Sequence, residues 1–201
     1  YAPANPSVPI SEPLNAMRNA GLSIIPTITD GTSKLVLAGL LKNPTSRTQA
    51  VSAIMNLVRT NNYDGIDIDF EGFAFVDGNT TWTSTAPSWV AFNKELSIAL
   101  RAEKKLLSVS TPYVLNPNDA QKGYFVYAWA AIASSIDKLR IMTYDYSVSK
   151  VGPLGPITWA ERTVQYAVSI MPASKVFVGV PGYGRDWVTA VSGVCPANVV
   201  N

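Results

Sequence analysis

The sequence contains no histidine. A Ser-His-Asp or Cys-His nucleophilic site is therefore excluded, as is any metal site built on imidazole. Its single cysteine, Cys195, can neither close an internal disulfide nor complete a zinc site. Charged residues are only 15% of the 201, against 47% apolar, so the chain has material for a large core and lacks the composition of a disordered one. The net charge is +2, and Lys and Arg are scattered rather than clustered. That gives no electrostatic footprint for nucleic acid. No apolar run approaches the roughly 18 residues of a membrane span. By length the chain is one domain. It starts at Tyr1 rather than Met and shows no leader pattern, as a processed secreted protein or a shortened chain would.

What is present is an unusual acidic run, Asp64-Gly65-Ile66-Asp67-Ile68-Asp69-Phe70-Glu71. Asp67, Asp69 and Glu71 alternate strictly with Ile66, Ile68 and Phe70. Such alternation reads as a β-strand with one acidic and one apolar face. A solvated edge strand has the same pattern, but the unbroken alternation and Gly65, a mark of close backbone packing, favour a lined site. Residues two apart on a strand lie roughly 6–7 Å apart. At an effective dielectric of about 20, two negative charges there repel by about 2–3 kcal/mol, or nearly two pK units. No Lys or Arg falls between Arg59 and Lys94 to relieve this locally. One of the three acids is therefore expected to keep its proton to unusually high pH, where it can be donated near neutrality. The even spacing is unlike the loop-drawn oxygen ligands of a cation site, so no metal is expected.

Apolar, β-branched runs recur at Leu22–Ile28, Gly65–Phe70, Leu106–Ser110, Leu139–Thr143 and Val176–Val180. Helical patterns separate them. Ala50, Val51, Ile54, Leu57 and Val58 share one helical face, and Trp89, Phe92, Leu96 and Ala99 another. Pro13–Ala20 reads as a helix, and Tyr124–Ile136 as a shorter one whose Phe125, Tyr127 and Trp129 pack on the sheet. Thr158 and Glu161 form a capping box for a helix that Pro172 stops. Gly72 to Ser88 reads as a loop carrying Phe73, Phe75 and Trp82. Alternating strands and helices of this size predict an α/β fold, a parallel sheet covered by helices. In such folds chemistry gathers at the C-terminal ends of strands, where Glu71, Tyr144, Asp145 and Tyr183 all fall.

Three motifs carry a family resemblance. Asp64 to Glu71 resembles the D-G-x-D-x-D-x-E signature of glycoside hydrolase family 18, the chitinase-like enzymes. Met142-Thr143-Tyr144-Asp145 resembles the M-x-Y-D motif of the sixth barrel strand. Gly179-Val180-Pro181-Gly182-Tyr183-Gly184-Arg185 resembles the G-x-P-x-Y-G-R run after the seventh. The resemblance spans roughly residues 14–188. It implies a (β/α)8 TIM barrel of which about strands three to seven are present, forming one catalytic domain over residues 1–201 with residues 1–13 as an extended, Pro-rich lead-in. Five strands would leave two open edges, so the remainder of the same barrel, or another chain, is expected to complete them.

The resemblance also implies an activity: hydrolysis of β-1,4 bonds next to N-acetylglucosamine, in chitin or peptidoglycan, by substrate-assisted retaining catalysis. Glu71 would be the general acid/base. Asp69 would accept a hydrogen bond from the acetamido N–H, and Asp67 would share a proton with it. Tyr144 would donate its hydroxyl to the acetamido oxygen, and Asp145 would bind sugar hydroxyls. For Tyr183 and Arg185, binding and structural readings balance. Tyr113, Phe73 and Trp82 are further candidates for contact with sugar rings, with closure of the loop over its own aromatic cluster as the alternative. Three departures, Ile25–Gly31 in place of a Ser/Gly-Gly run, Phe70 in place of Trp, and Gly152–Pro156 followed by Thr158-Trp159, resemble the branch associated with bacterial cell-wall and spore-cortex glycans. A secreted or cell-envelope protein is expected. The eighth-strand Trp that floors the sugar site in the family has no counterpart here. A non-catalytic, lectin-like carbohydrate-binding protein is the alternative; such members lose the acid at the position of Glu71, which this chain keeps.

Overall fold

Strand β2 (Gly65–Asp69) fixes the two faces of the molecule in the computed structural model, which describes residues 10–188, 190 and 192–193. Its Ile66 and Ile68 are fully buried under helices, while Asp67 and Asp69 point to the opposite side. β1 (Thr27–Thr29), β3 (Leu106–Pro112), β4 (Lys138–Met142) and β5 (Val176–Val178) join it in one parallel sheet of order β1-β2-β3-β4-β5. Leu107, Val109, Leu139 and Ile141 continue the apolar face of β2. Ser108, Ser110, Lys138 and Arg140 continue its polar face, because side chains alternate along every strand. β1 and β5 are the sheet's edges among the described residues.

The helical layer is built by amphipathic crossovers. α1 is Ser11–Asn19 and α2 is Val36–Lys42. α3 (Pro44–Thr60) starts where Asn43 caps it, its Oδ1 accepting from the N–H groups of Thr45 and Ser46 at 2.9 and 3.2 Å, with Pro44 at the first position. Val51, Ile54, Met55 and Val58 of this helix enter the core. After the short α4 (Gly72–Phe75), α5 (Trp82–Ala102) adds Trp89, Phe92, Leu96 and Leu100. α6 (Trp129–Ile132) packs against α5 and α7, and α7 (Ile157–Ile170) covers β5. Gly65 is required where β2 and β3 begin, since a Cβ there would collide with the Leu106 carbonyl. Among the described residues no helix is long and apolar enough to cross a membrane.

Several boundaries differ from the sequence expectation. The lead-in over 1–13 ends early: α1 already begins at Ser11, and Pro13 sits in its first turn, where a missing N–H is harmless; residues 1–9 lie outside the described residues, as does Cys195. The first strand is not Leu22–Ile28 but Thr27–Thr29. Pro26 has no N–H to donate, and its carbonyl accepts from Asp67 at 2.8 Å as the chain enters the sheet. Gly72 to Ser88 is mostly helical, because burial of Trp82, Thr85 and Trp89 on one face of α5 overrides the breaker signal of Pro87. The Tyr124–Ile136 helix is split into a 3₁₀ turn (Phe125–Tyr127) and α6 by Ala128, which has φ 45°. α7 has no capping box: Pro156 is its N-cap, and its carbonyl accepts from Trp159 and Ala160.

Candidate active site

The polar face of the sheet gathers the acids of β2. Asp67 is fully buried. Its Oδ2 accepts from Thr27 Oγ1 on β1 at 3.0 Å and from Ser110 Oγ on β3 at 2.8 Å. Asp67 Oδ1 and Asp69 Oδ1 are both buried and accept no hydrogen bond from the described residues. The guanidinium of Arg140, on β4, approaches Asp67 Oδ1 at 4.0 Å. The sequence reading found no local cation to relieve the acidic strand. The chain brings one from a different strand.

Asp69 is half-buried, and its carboxyl is pushed up to about 7. Burial is the largest cause, followed by the charge of Glu71 and then that of Asp67. Glu71, just past the end of β2, is also raised, first by burial and then by Asp145. The Tyr144 hydroxyl is raised by burial, then by Asp69, Glu71 and Asp145, so it stays a donor at neutral pH. Tyr144 reaches its place because Gly179, at the end of β5, has no side chain: a Cβ there would lie 2.8 Å from the Tyr144 ring. Thr143 Oγ1 donates to the Gly179 carbonyl at 2.6 Å and ties β4 to the same turn. Asp69, Ser110, Arg140, Met142, Tyr144 and Gly179 line a cavity of ≈ 270 Å³.

Asp145 follows with φ 58°, accepts from Arg185 Nε at 2.9 Å and forms an ion pair with Arg185 Nη2 at 2.8 Å. Tyr183 meets Tyr144 edge-on, with ring centroids 6.3 Å apart. Asp67, Asp69, Glu71, Tyr144, Asp145, Tyr183 and Arg185 thus lie at one end of the sheet. Tyr113, at the end of β3, stands at the rim and packs edgewise on Trp159 and Tyr124 rather than lining the cavity.

Phe73 and Trp82 do not join this group, a correction to their candidacy for sugar contact. Phe73 is 1% exposed and packed among Phe70, Trp89 and Tyr127. Trp82 is buried, and its Nε1 donates to the Phe73 carbonyl at 2.7 Å. Both rings serve the core because the segment carrying them folds back as helix. Tyr127, expected only to pack, also donates its hydroxyl to the Phe70 carbonyl at 2.8 Å and anchors the backbone next to Glu71. Thr27, Ser110 and Arg140 were not singled out either. Their signal was faint: polar residues at every second position of otherwise apolar strands. Among the described residues no group of three or more Asp, Glu, Cys or His side chains converges to hold a metal ion.

Residues 10–195 match the profile described as "Glycosyl hydrolases family 18". The chain belongs to glycosyl hydrolase family 18. The bacterial relative "Putative sporulation-specific glycosylase YdhD" of Bacillus subtilis is 32% identical over 171 residues, covering 83% of this chain and 38% of that protein. Its crystal structure superimposes with a TM-score of 0.79 at 28% identity, over 92% of this chain and 60% of that one. Mouse Chitotriosidase-1 is 29% identical over 82% of this chain and 38% of its own length. A class V chitinase structure from Pseudomonas fluorescens matches with a TM-score of 0.74 at 26% identity, over 85% of this chain and 53% of that one. This family-18 chain therefore spans 38–60% of the length of these relatives, and its five-stranded α/β sheet corresponds to part of their TIM barrel.

Proposed function

We propose that this family-18 chain carries the catalytic acids of a glycosidase that cleaves β-1,4 bonds next to N-acetylglucosamine, with Glu71 as general acid/base. One observation carries the reading. A half-buried carboxyl that holds its proton to about pH 7, Asp69, sits between buried Asp67 and Glu71, against an open cavity. The same burial raises Glu71 at the strand's end, so an acid placed to give up its proton sits beside a neighbour that keeps one.

In the first step the acetamido oxygen of the substrate attacks the anomeric carbon. The glycosidic C–O bond breaks, and the departing oxygen takes the Glu71 proton. Asp69, with its unpartnered Oδ1, accepts from the acetamido N–H, and the negative charge of the Asp67–Asp69 pair stabilises the oxazolinium that forms. Tyr144 donates its hydroxyl to the acetamido oxygen and holds it in line for attack. In the second step Glu71 takes a proton from water, which opens the ring of the intermediate with net retention. Asp145, held by Arg185, binds hydroxyls of the sugar beyond the cleavage point, and Tyr183 closes that side. Every part of this scheme uses a side chain of the described site, and no metal or cofactor enters it.

Two findings favour a cell-wall glycan over chitin as the natural polymer: the printed name of YdhD, and the Bacillus cortical fragment-lytic enzymes matched at 26% identity. A secreted or cell-envelope location goes with that substrate. The lectin-like reading has no comparable support, because Glu71 is kept. The test is incubation of the full-length protein with spore-cortex peptidoglycan and, in parallel, with chitin oligosaccharides, following new reducing ends and their anomeric form. Release of β-anomer from the cortex substrate is expected. Binding of both glycans with no new reducing ends would favour the lectin-like reading instead.

A further inference from the structure

We infer that Arg140 is a positioning residue that keeps the negative charge of the acidic pair on Asp67, and so leaves the pair's proton on Asp69, beside Glu71. The inference concerns the site assigned above and rests on that reading only for its catalytic consequence.

The geometry sets the two carboxyls apart. Asp67 has two hydroxyl donors on Oδ2, Thr27 and Ser110, and the Arg140 guanidinium 4.0 Å from Oδ1. That distance is too long for a direct hydrogen bond and within range of a charge contact. Asp69 has no donor on its buried Oδ1. Hydrogen bonds and a nearby cation favour the charged form of a carboxyl, while burial without a donor favours the neutral form. The geometry therefore favours the neutral form at Asp69 rather than at Asp67.

The remaining surroundings do not compete. β1 presents Thr27 and Thr29, and β3 presents Ser108 and Ser110, none of them charged. β4 adds Lys138, whose Nζ lies over the Phe177 ring of β5 at 4.4 Å. Tyr144 and Tyr127 face Asp69 as neutral phenols, and Glu71 supplies the other negative charge. Arg140 is thus the cation in contact with the pair among the described residues. Its side chain is 41% exposed against 1% for Asp67, so its field is partly screened.

The test is carboxyl ¹³C NMR titration of the full-length protein, which needs no substrate, alongside the pH profile of kcat/KM. In the wild type the step near pH 7 is expected at the Asp69 carboxyl carbon. In Arg140→Gln the Asp69 midpoint is expected to rise by about 0.5–1 unit, because a positive charge has been removed beside the acidic pair. Arg140→Lys is expected to restore the wild-type midpoint. The alkaline limb of kcat/KM is expected to move up in parallel. A merely structural Arg140 would change stability and leave the midpoint unmoved. The inference is overturned if the wild-type step already falls equally on both carbons, or if Arg140→Gln folds and titrates like the wild type. If Arg140→Gln does not fold, the comparison of Arg140→Lys with wild type and the wild-type assignment still decide it. Expected carbon shifts in a protein that cleaves no glycan would overturn the proposed function and uphold this inference.

Discussion

Arg185 Nε donates to Asp145 Oδ1 at 2.9 Å, and Arg185 Nη2 lies 2.8 Å from the same oxygen as an ion-pair contact. Asp145 is held at φ 58°, a left-handed backbone that costs a non-glycine residue about 1–2 kcal/mol. Strain of this kind at a strand end is maintained by its surroundings and points a side chain where regular geometry would not. Here it turns the carboxylate beyond β4 to where Glu71 feels its charge.

Three substitutions separate the strain from the contact. Asp145→Asn is expected to fold as stably as the wild type, since Asn tolerates the left-handed region, while Asp145→Val is expected to lose about 1–2 kcal/mol in urea unfolding. Arg185→Ala is expected to change stability by less than about 1 kcal/mol, because the pair is partly exposed. It is expected to raise KM by about 10-fold, equivalent to one lost charge-assisted contact. Steady-state kinetics and unfolding curves check both; unchanged KM would remove Arg185 from substrate positioning.

Asp69 makes stability depend on pH. Its carboxyl is pushed up to about 7 by burial and then by Glu71 and Asp67, whereas an unfolded aspartate titrates near pH 4. Between those values the folded protein holds a proton that the unfolded chain has released, so stability falls as pH rises through the window. Glu71, raised in the same direction, adds to the fall. Asp69→Asn is expected to flatten it and to be more stable than wild type at pH 8 by about 1–2 kcal/mol, less than the full shift because the side chain is partly open to solvent. Equal pH slopes for the two proteins in urea unfolding would contradict this.

Tyr127→Phe removes the donor to the Phe70 carbonyl, one residue before Glu71. Leaving that buried acceptor unpaired is expected to cost about 1–3 kcal/mol. A displaced Glu71 should lower kcat more than it changes KM, since a misplaced acid fails mainly in the transition state. Loss of stability with kcat intact would restrict Tyr127 to packing.

Strand β2 and the helices over it could be read directly, because the alternation of Ile66, Ile68 and Phe70 with Asp67, Asp69 and Glu71 has one period and one meaning. The five parallel strands followed from the same logic. What could not be read depends on contacts between distant segments. Arg140 is invisible as a partner of Asp67 until β3 places Ser110 between their strands. Phe73 and Trp82 looked like exposed loop aromatics because Pro87 and the polar residues around it mask a helix that only core burial stabilises. Leu22–Ile25 has the composition of a strand, yet Pro26 and the exposure of Leu22 keep that stretch out of the sheet.

The measurement that bears most directly on the account is hydrolysis of a chromogenic aryl glycoside of N,N′-diacetylchitobiose by the full-length protein and by Glu71→Gln, with binding of N-acetylglucosamine oligomers measured on both. Gln keeps the shape of the side chain and removes the transferable proton. The account predicts a loss of about 10²–10⁴ in kcat with binding retained. Hydrolysis by Glu71→Gln at the wild-type rate would contradict Glu71 as the acid and, with it, the role given to Asp69.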